Sequence, residues 1–210
     1  MNTGKMYTKL NVFSERNSET TVRELWADLL VIKRSLHPET LINAWRNHPN
    51  ARYDFMVGRD SIDVKSTSSF EREHLFSPGR LNLPPNSRLL IASVCVMEVS
   101  KDYGGISVRS LYDMICSKVY DVNTIMRLNT IVAGIVGGDA HCVDGVFFDY
   151  ATASSTLAFF DSTDVPQISK ANIPEFVSDV WFTSNISHLL SIEEKSDYDR
   201  SKSPLFKSLY

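Results

Sequence analysis

Tyr53-Asp54-Phe55-Met56-Val57-Gly58-Arg59-Asp60-Ser61-Ile62-Asp63-Val64-Lys65 is the stretch on which the fold turns. Its first arm, Tyr53 to Val57, is aromatic and apolar except for Asp54. Its second arm alternates, with Ile62 and Val64 on one side and Asp63 and Lys65 on the other. That is the period-2 pattern of a half-buried strand, so the two arms read as a β-hairpin. Register decides what the hairpin carries. With Gly58-Arg59 as a two-residue loop, Val57 faces Asp60 and Asp54 lies across from Asp63; glycine at the first central position suits a type II′ turn. A loop one residue longer would send Asp54 and Asp63 to opposite faces. The two-residue loop is the reading adopted. Like charges directly opposite on a sheet cost about 0.2–1 kcal/mol, so two carboxylates there imply a cation to share between them.

The rest of the composition sets the frame. The chain has 210 residues, 43% of them hydrophobic and 22% charged, enough for a folded domain with a full core. A net charge of -3 excludes a global basic field, so any nucleic-acid surface is local. No apolar run is long enough to span a bilayer, and Met1 to Phe13 lacks the apolar core of a signal peptide. Cys95, Cys116 and Cys142 form no Cys-x-x-Cys pair and are odd in number, which reads as reduced thiols in a cytoplasmic protein with no membrane partner. The chain has no Gly-x-Ser-x-Gly, P-loop or dinucleotide fingerprint.

Upstream of the hairpin, Leu25, Trp26, Leu29, Leu30, Ile32 and Leu36 form a broad apolar stripe at helical spacing and predict a helix from Val22 to Ser35. Thr21 and Glu24 fit a capping box at its start, and His37-Pro38 ends it. A second helix is expected from Glu39 to Asn47. Downstream, Phe70 to Phe76 reads as an edge strand and Ser77 to Ser87 as a loop. Arg88 to Val99 is continuously apolar, the mark of a central strand buried on both faces. Helices are expected over Ser107–Lys118, capped by Ser107, and Asp121–Val136, closed by Gly137. Val143–Tyr150, Leu157–Asp161 and Val177–Thr183 read as later strands. The sum is an α/β fold, a mixed central β-sheet flanked by helices. One domain covers residues 1–190, with a core over about 21–120 and a smaller mixed region over 121–190. Residues 191–210, charged and Ser-rich, are expected to form a mobile tail in which Leu205, Phe206, Leu209 and Tyr210 are able to dock.

Two carboxylates suffice for a hard divalent cation such as Mg²⁺, which takes oxygen ligands and keeps several waters. Such a metal lowers the pKa of a bound water and clamps a phosphoryl oxygen. A lysine on the same face orients the attacking water or stabilises transition-state charge. Asp28, one helical turn beyond Glu24, has no capping role and is the candidate third acid. Asp139-Ala140-His141-Cys142-Val143-Asp144 suggests zinc but lacks the second half of a site, so it reads as a loop-to-strand turn. His37 and His48 stand beside prolines and read as turn residues.

Asp54 followed by Asp63-Val64-Lys65 resembles the motif of the PD-(D/E)XK nuclease superfamily. The chain is more closely similar to an uncharacterised prokaryotic subfamily found near restriction and phage-defence genes. That subfamily shows a Leu-Trp-Gly-Glu-Leu-Leu helix, an Asp-Phe and a Glu-Val-Lys-Thr-Thr strand. The matching stretches are Leu25-Trp26-Ala27-Asp28-Leu29-Leu30, Asp54-Phe55 and Asp63-Val64-Lys65-Ser66-Thr67, and the likeness continues through Asp149 to Val177-Ser178-Asp179-Val180. The departures that matter are Asp28 for Glu and Ala27 for Gly in the helix, with Tyr53 in place of the Pro before the first Asp. The resemblance implies a restriction-endonuclease-like core and hydrolysis of DNA phosphodiester bonds with Mg²⁺ or Mn²⁺. It implies metal ligation by Asp54, Asp63 and Asp28, with Lys65 completing the catalytic set. It also implies a place in a prokaryotic defence or restriction system, with other subunits as candidate partners. The alternative is a non-catalytic nucleic-acid-binding or assembly subunit of the same fold. The pI of about 5.9 and the lack of a Lys/Arg stripe favour that alternative; the intact Asp, Asp-x-Lys set favours the enzyme.

Overall fold

A computed structural model describes residues 21–46, 51–137 and 143–209. Helix α1 spans residues 21–34. Leu25, Trp26, Ala27, Leu29, Leu30, Val31 and Ile32 are all at most 1% exposed, so this helix is apolar nearly all round and forms the spine of the core. Thr21 already has helical backbone, which removes it as the N-cap of the expected capping box. Helix α2, Pro38–Ala44, follows at once, with Pro38 in its first turn where no amide is missed.

Strands β1, Phe55–Val57, and β2, Asp60–Thr67, form the hairpin in the register Phe55↔Ile62, Met56↔Ser61 and Val57↔Asp60. Gly58 has φ 61° while Arg59 does not cross to positive φ, as a type II′ turn requires. Strand β3 is Glu73–Phe76, and the expected loop after it holds a short helix α3, Pro78–Leu81. Strand β4, Arg88–Cys95, is buried along its length and is the centre of the sheet. Strand β5, Ile106–Ser107, leads into α4, Val108–Cys116, whose N-cap Ser107 accepts the Ser110 amide. Helix α5, Val122–Val136, is capped by Asp121 and closed by Gly137 at φ 62°. Then come β6, Phe147–Phe148, α6, Tyr150–Thr156, β7, Ala158–Asp161, β8, Phe182–Asn185, and α7, Pro204–Lys207.

The main sheet runs β1-β2-β4-β7, with β1 antiparallel to β2, β2 parallel to β4, and β7 antiparallel to β4. It is a mixed sheet, as expected. Side chains alternate across it. Phe55, Ile62, Leu90, Ala92, Val94 and Phe159 join α1 and α2 in the larger core. Leu89, Ile91 and Phe160 join Tyr53 and Phe76 in a smaller core on the opposite face. Among the described residues no helix is long and apolar enough to cross a membrane.

Three strand expectations change. Strand β3 pairs with β8 as a separate two-stranded sheet instead of extending the main one. The expected strand 143–150 shrinks to Phe147–Phe148, because the Asp149 carboxylate accepts the Thr152 amide and hydroxyl and starts α6. The strand expected from Val177 begins only at Phe182, since Phe176 and Asp179 have φ of 69° and 55°, which no strand contains. The segment after residue 190, expected as a mobile tail, is placed against the larger core. Ile192, Leu205, Phe206 and Leu209 are buried there, and the Leu36 amide donates to the Ser208 carbonyl at 2.8 Å. The Arg88 guanidinium stacks over the Phe206 ring at 4.9 Å. Removing so buried an aromatic leaves a cavity, so Phe206→Ala is expected to cost about 3–5 kcal/mol in chemical denaturation. A loss within about 0.5 kcal/mol, the range of surface substitutions, would instead describe a loosely held tail.

Candidate active site

The ladder ends at Phe55↔Ile62, and Asp54 stands just beyond it, close enough to Asp63 for the two charges to repel. The Asp54 carboxylate substitutes for a ladder acceptor: its Oδ2 takes the Val64 amide at 2.8 Å. Asp63 is 2% exposed, and a buried carboxylate needs compensating charge. It has two cations, Lys65 Nζ at 3.3 Å and Arg80 Nη2 at 3.2 Å. The Lys65 ammonium also lies 5.6 Å from the centre of the Phe76 ring, which fixes it above the smaller core. Lys65 is thus paired with Asp63, and Asp54 lies near enough to Asp63 to feel its charge.

Asp28, on α1, is also 2% exposed. Its Oδ2 accepts the Trp45 indole at 3.1 Å and Arg46 Nη2 at 3.3 Å. The same Arg46 nitrogen lies 3.9 Å from Asp54 Oδ1, so one guanidinium joins the helix acid to the hairpin acid. Arg46 sits at φ 42°, a left-handed conformation that a non-glycine residue holds only under constraint. Its amide donates to the Asp54 carbonyl at 2.8 Å, and that bond supplies the constraint.

The electrostatics follow from this row of acids. Burial first, and then the neighbouring Asp63, push the Asp54 carboxyl up to about 6 against the opposing pull of the Val64 amide, Arg46 and Arg80. Burial raises Asp28 well above the usual carboxylate range, with Asp54 adding to it, while Arg46 and Trp45 pull it down. Behind Lys65, the buried His74 ring bonds the Ser93 hydroxyl of β4 at 2.7 Å, and Arg72 donates to the same hydroxyl at 2.9 Å. Burial, and then the positive charge of Lys65 and Arg72, lower His74 to about 4 and keep it neutral at pH 7.

A cleft of about 860 Å³ opens at the Asp54 end of the row, lined by Glu24, Arg46, Tyr53, Asp54, Arg80 and one face of α5. The sequence reading did not find Arg46 or Arg80. Arg46 is placed by a backbone conformation with no residue-type signal. Arg80 lies in a Pro-Gly-Arg-Leu segment that reads as a loop. Glu24, assigned in sequence to a capping box, is exposed at the cleft wall. Of the Asp139–Asp144 cluster, residues 139–142 lie outside the described residues, and Asp144 Oδ1 is 3.6 Å from Arg109 Nε.

Among the described residues no three His, Cys, Asp or Glu side chains are grouped closely enough to hold a metal ion. The donor chemistry of Asp54 and Asp63 nevertheless fits a hard cation. They are neighbouring anionic oxygens, each destabilised without positive charge nearby, and a metal that retains waters needs only one or two of them.

A mixed sheet whose parallel β2–β4 pair carries an Asp-x-Lys strand, backed by an apolar helix bearing an acid, is a restriction-endonuclease-like α/β fold. The chain belongs to a PD-(D/E)XK family: residues 11–187 match the family described as "Putative PD-(D/E)XK family member, (DUF4420)". No curated protein and no solved structure matches the chain.

The raised Asp54 value has a measurable sign. The folded state holds this proton more tightly than the unfolded chain, so ionising Asp54 lowers stability as pH rises from about 4 to about 6. Asp54→Asn keeps an oxygen for the Val64 amide and removes the charge. It is expected to stabilise the metal-free protein by on the order of 2 kcal/mol above pH 6 and by nothing near pH 4. Urea denaturation of both proteins across that range checks it. Equal stability at all pH would mean that Arg46 and Arg80 already neutralise Asp54 fully.

Proposed function

We propose that this protein is a metal-dependent nuclease that hydrolyses DNA phosphodiester bonds, acting within a prokaryotic defence or restriction system in the cytoplasm. Family membership supports the nuclease-like class, and nucleases of this superfamily generally use divalent metals. The observation that carries the catalytic reading is the pairing of Asp63 with Lys65 next to Asp54, which itself lines the open cleft. A Mg²⁺ or Mn²⁺ ion held by Asp54 and Asp63 would supply an acidified water and a clamp on the phosphoryl oxygen.

The chain's own residues do the rest. Asp63 holds the Lys65 ammonium 3.3 Å away, in the same charge row as Asp54. There Lys65 orients the nucleophile and offsets charge that builds on the phosphoryl group. Asp28 acts from behind. Its carboxylate, near enough to Asp54 for the two charges to repel, supports the metal side as the third acid of the row. The whole matched span, including the region after residue 120, works as one domain in this reading.

One observation favours a second reading. Each acid already has a cation from the chain itself, Arg46 for Asp28 and Asp54, Arg80 and Lys65 for Asp63. A site neutralised in this way also suits a subunit that binds nucleic acid without cutting it.

Incubation of the full chain with plasmid and single-stranded DNA, with Mg²⁺ or Mn²⁺, separates the two. The nuclease should cleave at least one substrate and stop on chelation. Asp63→Asn and Lys65→Ala should each lose about 10²-fold or more, and the double variant little beyond either single, because the two act as a unit. No cleavage of any DNA by the folded wild-type chain would establish the binding subunit.

A further inference from the structure

Arg46 and Arg80 hold their carboxylates differently from a structural arginine in the same molecule. Arg88 grips Asp60 through two nitrogens, Nε at 2.9 Å and Nη2 at 3.1 Å, with in-plane hydrogen bonds. Arg46 approaches Asp28 through one nitrogen at 3.3 Å, and the same nitrogen stops 3.9 Å from Asp54. Arg80 likewise approaches Asp63 through one nitrogen, at 3.2 Å, and turns that nitrogen to the Arg52 carbonyl as well. The side chains of Arg46 and Arg80 are 39% and 32% exposed, much as Arg88 is at 35%, but unlike Arg88 both line the cleft. Neither stands on the main sheet: Arg46 is in the turn after α2 and Arg80 on the one-turn helix α3. Their carboxylates, by contrast, are fixed by the hairpin ladder and by α1.

A guanidinium matches a phosphate as well as a carboxylate, and a bidentate grip on phosphate is stronger than a one-nitrogen contact. A hard cation and a guanidinium compete for the same carboxylate oxygens. We infer that Arg46 and Arg80 are phosphate-binding residues that occupy the place of the metal in the free protein. A phosphodiester entering the cleft draws both guanidinium groups off the acids. Asp54 and Asp63, now uncompensated, then take the divalent ion. The inference rests on the nuclease reading and adds to it an order of assembly: nucleic acid and metal raise each other's affinity, and the free protein binds metal weakly. Such coupling is reciprocal, so it can be read from either ligand.

The test counts free Mn²⁺ by its paramagnetic resonance signal, using the full chain with and without a phosphorothioate DNA duplex. Wild type should bind Mn²⁺ about tenfold or more tightly when the duplex is present. Arg46→Gln/Arg80→Gln should bind Mn²⁺ about tenfold more tightly than wild type without DNA and gain little when DNA is added. With chelator present, the same variant should bind the duplex more weakly and with a shallower salt dependence. Arg46→Lys/Arg80→Lys keeps the charges, so its Mn²⁺ affinity without DNA should stay near wild type. This second variant also covers the case in which the glutamine variant is misfolded. Unchanged Mn²⁺ affinity in a folded glutamine variant refutes the inference, as does a wild type that cleaves DNA yet binds Mn²⁺ equally with and without it. Either result leaves the nuclease reading standing. A wild type that neither cleaves DNA nor binds Mn²⁺ under any condition removes both.

Discussion

Everything at the cleft depends on one constraint, the pairing of Phe55 with Ile62. That pair sinks two side chains into the core beneath α1; the pleat then sends Asp63 the other way, and Asp54, just outside the strand, turns its carboxylate to the Val64 amide. A slip of one residue would bury a carboxylate under α1 and expose Phe55 to solvent. The cost of burying an unpaired charge is far larger than any turn preference, so the register is specified by both faces at once. Gly58 makes the register attainable, because its positive φ lets the hairpin close in two residues.

The second organising feature is compensation of buried charge. Asp28, Asp54 and Asp63 form a row, and burial and the repulsion of a neighbouring carboxylate raise the first two above the usual carboxylate range. A chain with net charge -3 has no surplus of cations, yet it places Arg46, Lys65 and Arg80 on this row. Removing one partner from a buried ion pair is costly, and that ties each arginine to its acid until a better anion arrives. The structural pair Arg88–Asp60 lies at the far end of β2, where the Phe206 ring covers the guanidinium. The same residue types therefore serve two purposes in one strand: a closed bidentate pair at one end and open single contacts at the other.

The polar network behind Lys65 extends the site into the sheet. Ser93 pairs in register with Lys65, and its hydroxyl holds His74 on β3 and Arg72 in the segment before it. The separate β3–β8 sheet is thereby tied to the central strand through hydrogen bonds as well as through Phe76 and Phe182. A neutral His74 accepts or donates at this point without adding a charge beneath the lysine.

Local chemistry determined much of this protein from the sequence. The alternation of Ile62, Asp63, Val64 and Lys65 set the faces of β2, the apolar run from Leu89 set a strand buried on both sides, and Ser107, Asp121 and Gly137 marked helix ends by their own capping bonds. These signals act over a few residues and leave a pattern in residue types. The Asp, Asp-x-Lys motif was legible for the same reason. Tertiary structure alone decided the rest. Phe147 to Asp149 looks like strand until Asp149 caps a helix. The C-terminal segment looks like a polar tail until Leu205, Phe206 and Leu209 find the groove beside α1 and α2. Arg46 and Arg80 are ordinary surface arginines in sequence. They become site residues only because a left-handed turn and a one-turn helix, far apart in the chain, bring their charges to carboxylates that the hairpin had already buried.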